Sequence, residues 1–307
     1  MNVLIYGSGV IGSTYGGLIA KTGCNVTLYA RNKRYIELCE RGLLIQKNGQ
    51  SKPEKIPVGV TSEIQSGNYY DFVFVTIRKD QVQESLSEIA QINSKNIVFM
   101  INNPSGYSEW INAIGLEKVI PAFPGSGGKI ENGVVFYELV NKIIQPTTIG
   151  ELSGKITPRI KELKTLLSKS KFHVSISENM DSWQKTHVAM VAPMGNVIYL
   201  DGGNNYTVSK NSEVIRQMNL ALRENFVFLH KSGIGIEPNK LVFFRFCPLW
   251  LLNILMKYVY NTKWAETVIC NHALNAKHEM RVISKEFFEL AKSKGFNLKE
   301  FEKLIHF

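Results

Sequence analysis

The sequence predicts an α/β domain followed by an all-helical domain. Short apolar runs alternate with helical patterns up to about residue 101, and from Asp181 onward almost every segment carries helical periodicity. Directly after the first apolar run stands a glycine-rich turn, the kind that leads a buried strand into a helix.

Residues 3–6 form a short apolar run ending at Gly7 and read as a buried strand. A helix over 11–22 follows, with Gly12, Gly16, Gly17 and Ala20 as its small residues, then a second strand over 26–30. Residues 33–41 are helical and Gly42 is a natural stop. The next strand is expected at 72–76, a helix capped by Asp80 runs to about residue 90, and another strand covers 97–101. Beyond Pro121 the pattern changes. Residues 134–139 and 143–149 read as strands joined by a turn at Asn141. A helix over 157–168 opens on Thr157-Pro158, with proline at its first position. A last edge strand is expected at 173–176, and the boundary between domains falls near residues 178–181, giving domains of 1–178 and 179–307.

Composition agrees with a folded chain. Its 307 residues, 44% hydrophobic and 20% charged, suffice for two domains with real cores. The net charge of +10 gathers partly in residues 155–171, which read as a solvated helix face. No basic run is interleaved with aromatics, so nucleic acid is not an expected partner. Cys24, Cys39, Cys247 and Cys270 form no CxxC pair, and the six histidines form no HxH or HExxH group, so neither disulfide nor metal is expected. Met1-Asn2-Val3-Leu4-Ile5-Tyr6 lacks the basic start of a signal peptide, and reduced thiols fit a cytoplasmic protein. The most apolar stretch, 241–260, is interrupted by Arg245, Pro248, Asn253 and Lys257. It reads as buried helices around Pro248 rather than as a membrane span.

Gly7-Ser8-Gly9-Val10-Ile11-Gly12 is a GxGxxG at the required place, after a strand and opening a helix. Gly7 makes the turn, Gly9 lets backbone approach a pyrophosphate, and Gly12 lets the helix pack on the sheet, while the free N–H groups of that helix face the phosphates. These features make the first domain a Rossmann-type NAD(P)-binding domain. The second strand ends in Tyr29-Ala30-Arg31-Asn32, with arginine where a site for NAD carries a carboxylate. A guanidinium suits the extra phosphate of NADPH, and Lys33 and Arg34 add charge; otherwise Arg31 is a surface arginine. Val75-Thr76-Ile77-Arg78 and Ile101-Asn102-Asn103-Pro104-Ser105-Gly106 lie at the carboxyl ends of two further strands, where such sheets bind ligands. Thr76 and Arg78 are thus cofactor candidates, with Arg78 also suited to a substrate carboxylate. Asn103 is a candidate for the nicotinamide ribose or the substrate. Asn102 is either a site residue or ordinary turn chemistry.

These residues resemble the ketopantoate reductase family. The resemblance covers the chain in outline and is strongest in the first domain. It rests on the GxGxxG, Arg31, Val75-Thr76-Ile77-Arg78 with Gln81-Val82 following, Asn103 three residues before Gly106, and Trp183-Gln184-Lys185. It implies transfer of hydride from NADPH to a small 2-keto acid, a place in pantothenate biosynthesis, and Lys185 as the general acid. An ammonium suits that task, because hydride addition leaves charge on the carbonyl oxygen. Without the resemblance Lys185 reads as a solvated lysine near a helix start.

The chain also departs from the family. Where the family carries two asparagines after the lysine, this sequence has Ala189 and Pro193, and Pro193 is expected to kink or end the helix. Asn196 returns to the face of Lys185 if the helix resumes. His187 points away from Lys185 and reads as a packed histidine. On a helix, Ile269, Ala273, Ala276, Met280, Ile283, Phe287 and Leu290 make a core stripe, with His272, Asn275 and Glu279 on one adjoining line. That line either faces the site, with Glu279 as a third catalytic candidate orienting Lys185 or the substrate, or faces solvent. Pro121-Ala122-Phe123-Pro124-Gly125-Ser126-Gly127-Gly128 is either a flexible crossover or a close backbone approach to a ligand through Ser126. The expected protein is thus an NADPH-dependent reductase acting on a small keto acid, as monomer or homodimer, with no membrane partner. A reductase of a different keto acid and a non-catalytic NADPH sensor are the alternatives.

Overall fold

The computed structural model describes residues 1–65 and 67–305 and, within these, leaves out the side chain of His272. The chain divides into two compact units, one of Met1–Ile101 with Tyr107–Met180, the other of Asn102–Gly106 with Asp181–Phe307.

The first unit begins β1 (Asn2–Tyr6), α1 (Val10–Ala20), β2 (Asn25–Tyr29), α2 (Asn32–Arg41), β3 (Leu43–Lys47), β4 (Glu54–Ile56), β5 (Gly59–Thr61), β6 (Tyr69–Tyr70) and β7 (Phe72–Val75). It continues with α3 (Lys79–Ala90), β8 (Asn93–Ser94), β9 (Ile97–Met100), α4 (Ser108–Ile114), β10 (Val119–Phe123), β11 (Ser126–Glu131), β12 (Val134–Leu139), β13 (Thr147–Ile149), α5 (Pro158–Lys169) and β14 (Val174–Ile176). Eight strands form the main sheet in the order β14-β13-β10-β9-β7-β1-β2-β5. Every pairing in it is parallel except β10 with β13. Parallel strands covered on both faces read as continuous apolar runs. Val3 and Ile5 accordingly join one core cluster and Leu4 and Tyr6 another, all fully buried. Each such side chain contributes about 1.5–3 kcal/mol relative to exposure.

Three expectations change in this unit. Arg78, not Asp80, is the residue preceding α3; Asp80 lies in its first turn, where a carboxylate suits the positive end of the helix. Residues 143–146 are not strand, and β12 and β13 lie in different sheets, because β12 pairs with β11 and β3 while β13 pairs with β10 and β14. The segment 121–128 is no crossover loop. It is the end of β10, a turn, and the start of β11, and the Gly125 N–H is held by Tyr15 Oη at 3.0 Å and Thr147 Oγ1 at 3.2 Å. A Cβ on Gly128 would lie 1.9 Å from the Phe136 carbonyl oxygen, so glycine at this position serves the pairing of β11 with β12.

The second unit contains α6 (Met180–Leu200, whose first residue counts with the first unit), α7 (Asn205–Lys210), α8 (Ser212–Lys231), α9 (Phe243–Phe246) and α10 (Leu249–Tyr260). A single turn α11 (Lys263–Ala265) and a π-helical turn (Glu266–Cys270) lead into α12 (Asn271–Asn275), α13 (Lys277–Ser293) and α14 (Lys299–Glu302). Its core includes Val188, Leu222, Phe226, Leu252, Ile283 and Phe287.

Pro193 does not end α6, which runs through it to Leu200. A helical proline leaves the carbonyl four residues earlier without its usual donor. That carbonyl belongs to Ala189, and Asn225 of α8 donates its Nδ2–H to it at 3.1 Å. The side chain of a neighbouring helix thus replaces the missing backbone N–H.

The core stripe expected over 269–290 is spread over several elements. Ala276, at φ −125° and ψ 30°, separates α12 from α13, so Asn275 and Glu279 do not lie on one helix; the His272 side chain lies outside the described residues. Residues 241–260 do form helices around Pro248, but their burial is one-sided. Leu252, Met256 and Tyr260 enter the core while Trp250, Ile254 and Tyr258 remain exposed. Among the described residues no helix is long and apolar enough to cross a membrane.

Candidate active site

The glycine-rich turn has a distinct physical reason at each glycine. Gly7 sits at φ +109°, a conformation few side chains tolerate. A Cβ on Gly12 would lie 1.9 Å from the Gly7 carbonyl oxygen and 2.5 Å from Thr76 Oγ1. Beside Gly9 there is only open space, with no atom within 4 Å of where its Cβ would stand. Gly9 precedes α1 in an extended conformation with no side-chain cap, and no acidic residue occupies the first turn. The turn therefore presents uncapped N–H groups and an unopposed positive dipole end beside an open approach, which is the chemistry of an anion cradle. Ser8 is buried in it, and Val10 and Ile11 are half-buried.

Three side chains brace the turn. Thr76 Oγ1 donates to the Gly7 carbonyl at 2.6 Å. Ser13 Oγ donates to the Ser8 carbonyl at 2.9 Å. Arg34 Nε donates to the same carbonyl at 3.1 Å and its second nitrogen reaches Ser13 Oγ at 3.2 Å, while the third pairs with Glu37. Arg34 thus braces the turn, and the charge it was expected to add at this helix start stands there paired with Glu37. Sequence reasoning missed this brace; Arg34 stands one helical turn after Arg31, but nothing local shows that it reaches back to Ser8.

Arg31 directly precedes α2 and is exposed, its guanidinium 5.9 Å from the centre of the Tyr29 ring. No side chain caps α2 and its first turn holds no acid, only Lys33 and Arg34 as charges. Positive charge at the positive end of a helix is locally unfavourable. Next to it, Tyr6 and Tyr29 stack at 4.5 Å and both donate to the Glu88 carboxylate, Tyr29 at 2.7 Å. Burial and then the Glu88 hydrogen bond push the Tyr6 hydroxyl up to about 12, and the same causes raise Tyr29. Both stay protonated donors, fixing the ends of the strands from which Gly7 and Arg31 depart. Arg78 is exposed at the start of α3, with its Nε 3.4 Å from Asp80.

The remaining candidates belong to the second unit. Lys185 lies on α6, mostly buried, and its ammonium pairs with Asp181 one turn earlier. The carboxylate beside Lys185 is thus Asp181, which the i,i+4 spacing made legible. Trp183 is buried and His187 stacks on it at 5.2 Å, a packing role. Glu279 is buried in the first turn of α13 and accepts a hydrogen bond from Asn102 Nδ2 at 3.3 Å. Asn102 is itself buried and its Oδ1 has no hydrogen-bond partner. Ser105 Oγ donates to Glu286, two turns further along α13, at 2.5 Å. Asn103 is almost fully buried and donates to the Gly106 carbonyl at 2.6 Å, closing the turn. Within the second unit, the segment Asn102–Gly106 is thus tied by side chains to α13. Asn196, fully buried, donates to Ser284 of α13 at 3.1 Å.

Residues 3–153 match the family model described as ketopantoate reductase PanE/ApbA. A 2-dehydropantoate 2-reductase of Pyrococcus horikoshii is 26% identical over 241 residues, covering 74% of this chain and 76% of that protein. Among solved structures, a 2-dehydropantoate 2-reductase from Geobacter metallireducens superposes with a TM-score of 0.79 at 14% identity, covering 99% of this chain and 98% of that one. A D-mandelate dehydrogenase in ternary complex with NADH and anilino(oxo)acetate gives 0.77 at 17%, covering 99% and 96%. At such identities the structures speak for the fold, an α/β unit followed by a helical one, and the sequence matches speak for descent. Over residues 3–153 the chain is homologous to the ketopantoate reductase family of oxidoreductases, as a divergent member would be.

Proposed function

We propose that the chain is an NADPH-dependent reductase that transfers hydride to the carbonyl of a small 2-keto acid, ketopantoate or a close relative, giving a 2-hydroxy acid. Residues 1–178 act as the cofactor domain and 179–307 as the substrate domain, in the cytoplasm, where the four free thiols are stable. The observation that carries this is the phosphate-ready turn at Gly7–Gly12, open beside Gly9, together with Arg31 at an uncapped helix start. The donor set fits a dinucleotide with an additional phosphate. N–H groups of the first turn of α1 would hold the pyrophosphate, Arg31 the 2′-phosphate, and Thr76 and Arg78 flank the same strand ends.

When bound, the dinucleotide supplies the hydride. The chain supplies everything else. Asp181 holds the Lys185 ammonium on α6. Lys185 Nζ donates a proton to the carbonyl oxygen as negative charge develops there. Asn103 and Glu279 position the substrate, and Asn102 orients the Glu279 carboxylate by its amide N–H. A different keto acid is the second reading, favoured by Ala189 and Pro193, which remove two side-chain amides from the face of α6 headed by Lys185.

The test is NADPH oxidation, followed by absorbance, against a panel of 2-keto acids that includes ketopantoate. Turnover of ketopantoate supports the first reading and turnover of another member the second. Tight NADPH binding without turnover of any member would instead identify a sensor.

A further inference from the structure

Arg31 directly precedes α2 and Arg34 lies in its first turn, yet the fold holds the two arginines in different ways. Arg34 is paired with Glu37. Arg31 pairs with no carboxylate among the described residues; its guanidinium lies over the Tyr29 ring, 5.9 Å from the centre. Extended backbone makes that contact. Arg31 sits at φ −123° and ψ 158°, so residues 29 and 31 project to one side and Ala30 to the other. Tyr29 and Ala30 accordingly join different core clusters. The Tyr29 ring is itself fixed. It stacks on Tyr6 at 4.5 Å with the planes 9° apart, and each hydroxyl donates to its own oxygen of the Glu88 carboxylate on α3, Tyr29 to Oε1 at 2.7 Å and Tyr6 to Oε2. Tyr6 and Tyr29 are 0% and 3% exposed, so neither ring has room to turn. Glu88 thus has both oxygens engaged and does not claim Arg31. A phenol that donates to an anion also has a more electron-rich ring, and a cation is drawn to the face of such a ring.

We infer that Tyr29, tethered by Glu88, is the positioning residue that holds Arg31 for the 2′-phosphate of NADPH and so sets the preference for NADPH over NADH. This rests on the cofactor reading above and adds the side chains that act on Arg31 from behind. What decides the matter is which kind of support leaves a cation usable. A carboxylate holds a guanidinium and also neutralises it, as Glu37 does for Arg34, and an incoming phosphate would have to displace it. An aromatic face restrains the same group while leaving its N–H donors and its charge for the ligand. An unsupported arginine at the surface loses rotamer freedom when it closes on a phosphate, a cost that support in the free protein removes.

The test is the ratio of NADPH to NADH affinity, read by fluorescence titration of the full chain. Tyr29→Leu should lower that ratio about three- to tenfold by weakening NADPH alone, with unchanged far-UV circular dichroism. In an Arg31→Ala background the same substitution should leave the ratio unmoved, because the group it acts through is gone. Tyr29→Phe keeps the ring and loses the tether, so it should fall between the native chain and the leucine variant, and it carries the test if the leucine chain does not fold. Equal loss of NADPH and NADH affinity would make Tyr29 a merely structural residue and overturn the inference. So would an unmoved ratio in both variants, or a fall that persists without Arg31. A native chain that binds NADPH and NADH equally, with Arg31→Ala affecting neither, would overturn the cofactor reading itself and this inference with it.

Discussion

Pro193 in the middle of α6 makes a specific energetic claim about Asn225. The claim is that Asn225 donates the hydrogen bond that residue 193 cannot, to the buried carbonyl of Ala189 at 3.1 Å. Replacing Asn225 with leucine keeps the side-chain volume close and leaves that carbonyl unpaired, at a cost of about 1–3 kcal/mol. The same replacement also removes the buried Asn225 Oδ1, which has no partner, so the net change in the native chain is smaller than that cost. A double-mutant cycle separates the two effects. In a Pro193→Ala background the helix supplies its own N–H to Ala189, so Asn225→Leu loses only the orphaned Oδ1. The Oδ1 contribution is common to both backgrounds and cancels. The coupling between positions 193 and 225 is therefore expected at about 1–3 kcal/mol, with Asn225→Leu more harmful beside proline than beside alanine. Urea unfolding followed by far-UV circular dichroism measures all four chains. A coupling within about 0.5 kcal/mol of zero would refute the idea that Asn225 replaces the lost donor.

Further expectations follow from the same geometry. Arg31→Ala should weaken NADPH binding by about 10–100-fold and leave NADH binding nearly unchanged, read by fluorescence titration; equal loss for both would remove the phosphate assignment. Asn102→Ala should lower kcat/KM about tenfold with unchanged far-UV circular dichroism, and Asn102→Gln, which keeps the amide donor, should restore part of it; an unchanged kcat/KM in the alanine variant would leave Asn102 a merely structural residue. Although burial opposes it, hydrogen bonds from Arg159 and Thr157 hold the Glu151 carboxyl below its usual range. A carboxylate lowered in this way contributes stability above its unfolded pKa of about 4, and that contribution disappears as pH falls through the lower folded value. Glu151→Gln should accordingly cost about 3 kcal/mol at pH 7 and much less at pH 2, measured by urea unfolding at both; an equal cost at both would show that charge plays no part.

Local pattern carried a large part of the fold. The run ending at Gly7, the GxGxxG and the strand before Arg31 specify β1, α1 and β2 with little help from elsewhere, and Thr157-Pro158 announces α5. The second sheet of the first unit was not legible, because its centre pairs residues 44–47 with 134–137, a long-range register that no local period encodes. Pro193 misled for a related reason. The rule that proline ends a helix is local, and the donor that overrides it sits on α8, 36 residues beyond the Ala189 carbonyl it serves. The exposed side of α10 shows the same limit from the other side, since apolarity alone does not fix which residues of a helix are buried.

In the candidate site, chemistry carried by residue type was legible in the sequence and geometry made by distant residues was not. The glycines, Arg31 and Lys185 announced themselves by motif. The pairing of Lys185 with Asp181 was readable from spacing alone, whereas Asn102 and Glu279 stand 177 residues apart and meet only in the folded chain. Asn103 stood out as a ligand contact, but its amide also closes its own turn on Gly106. Residue type identifies what a side chain can bond; only the fold decides what it does bond.

The central claim is that Lys185 gives the proton in a reduction whose cofactor is held by other residues. Turnover and NADPH affinity measured side by side on the native chain and on Lys185→Ala, with the best keto acid from the panel, test it most directly. The account predicts a fall in kcat of about two orders of magnitude or more with NADPH affinity unchanged. Turnover that survives the substitution would contradict it and take Lys185 out of the reaction.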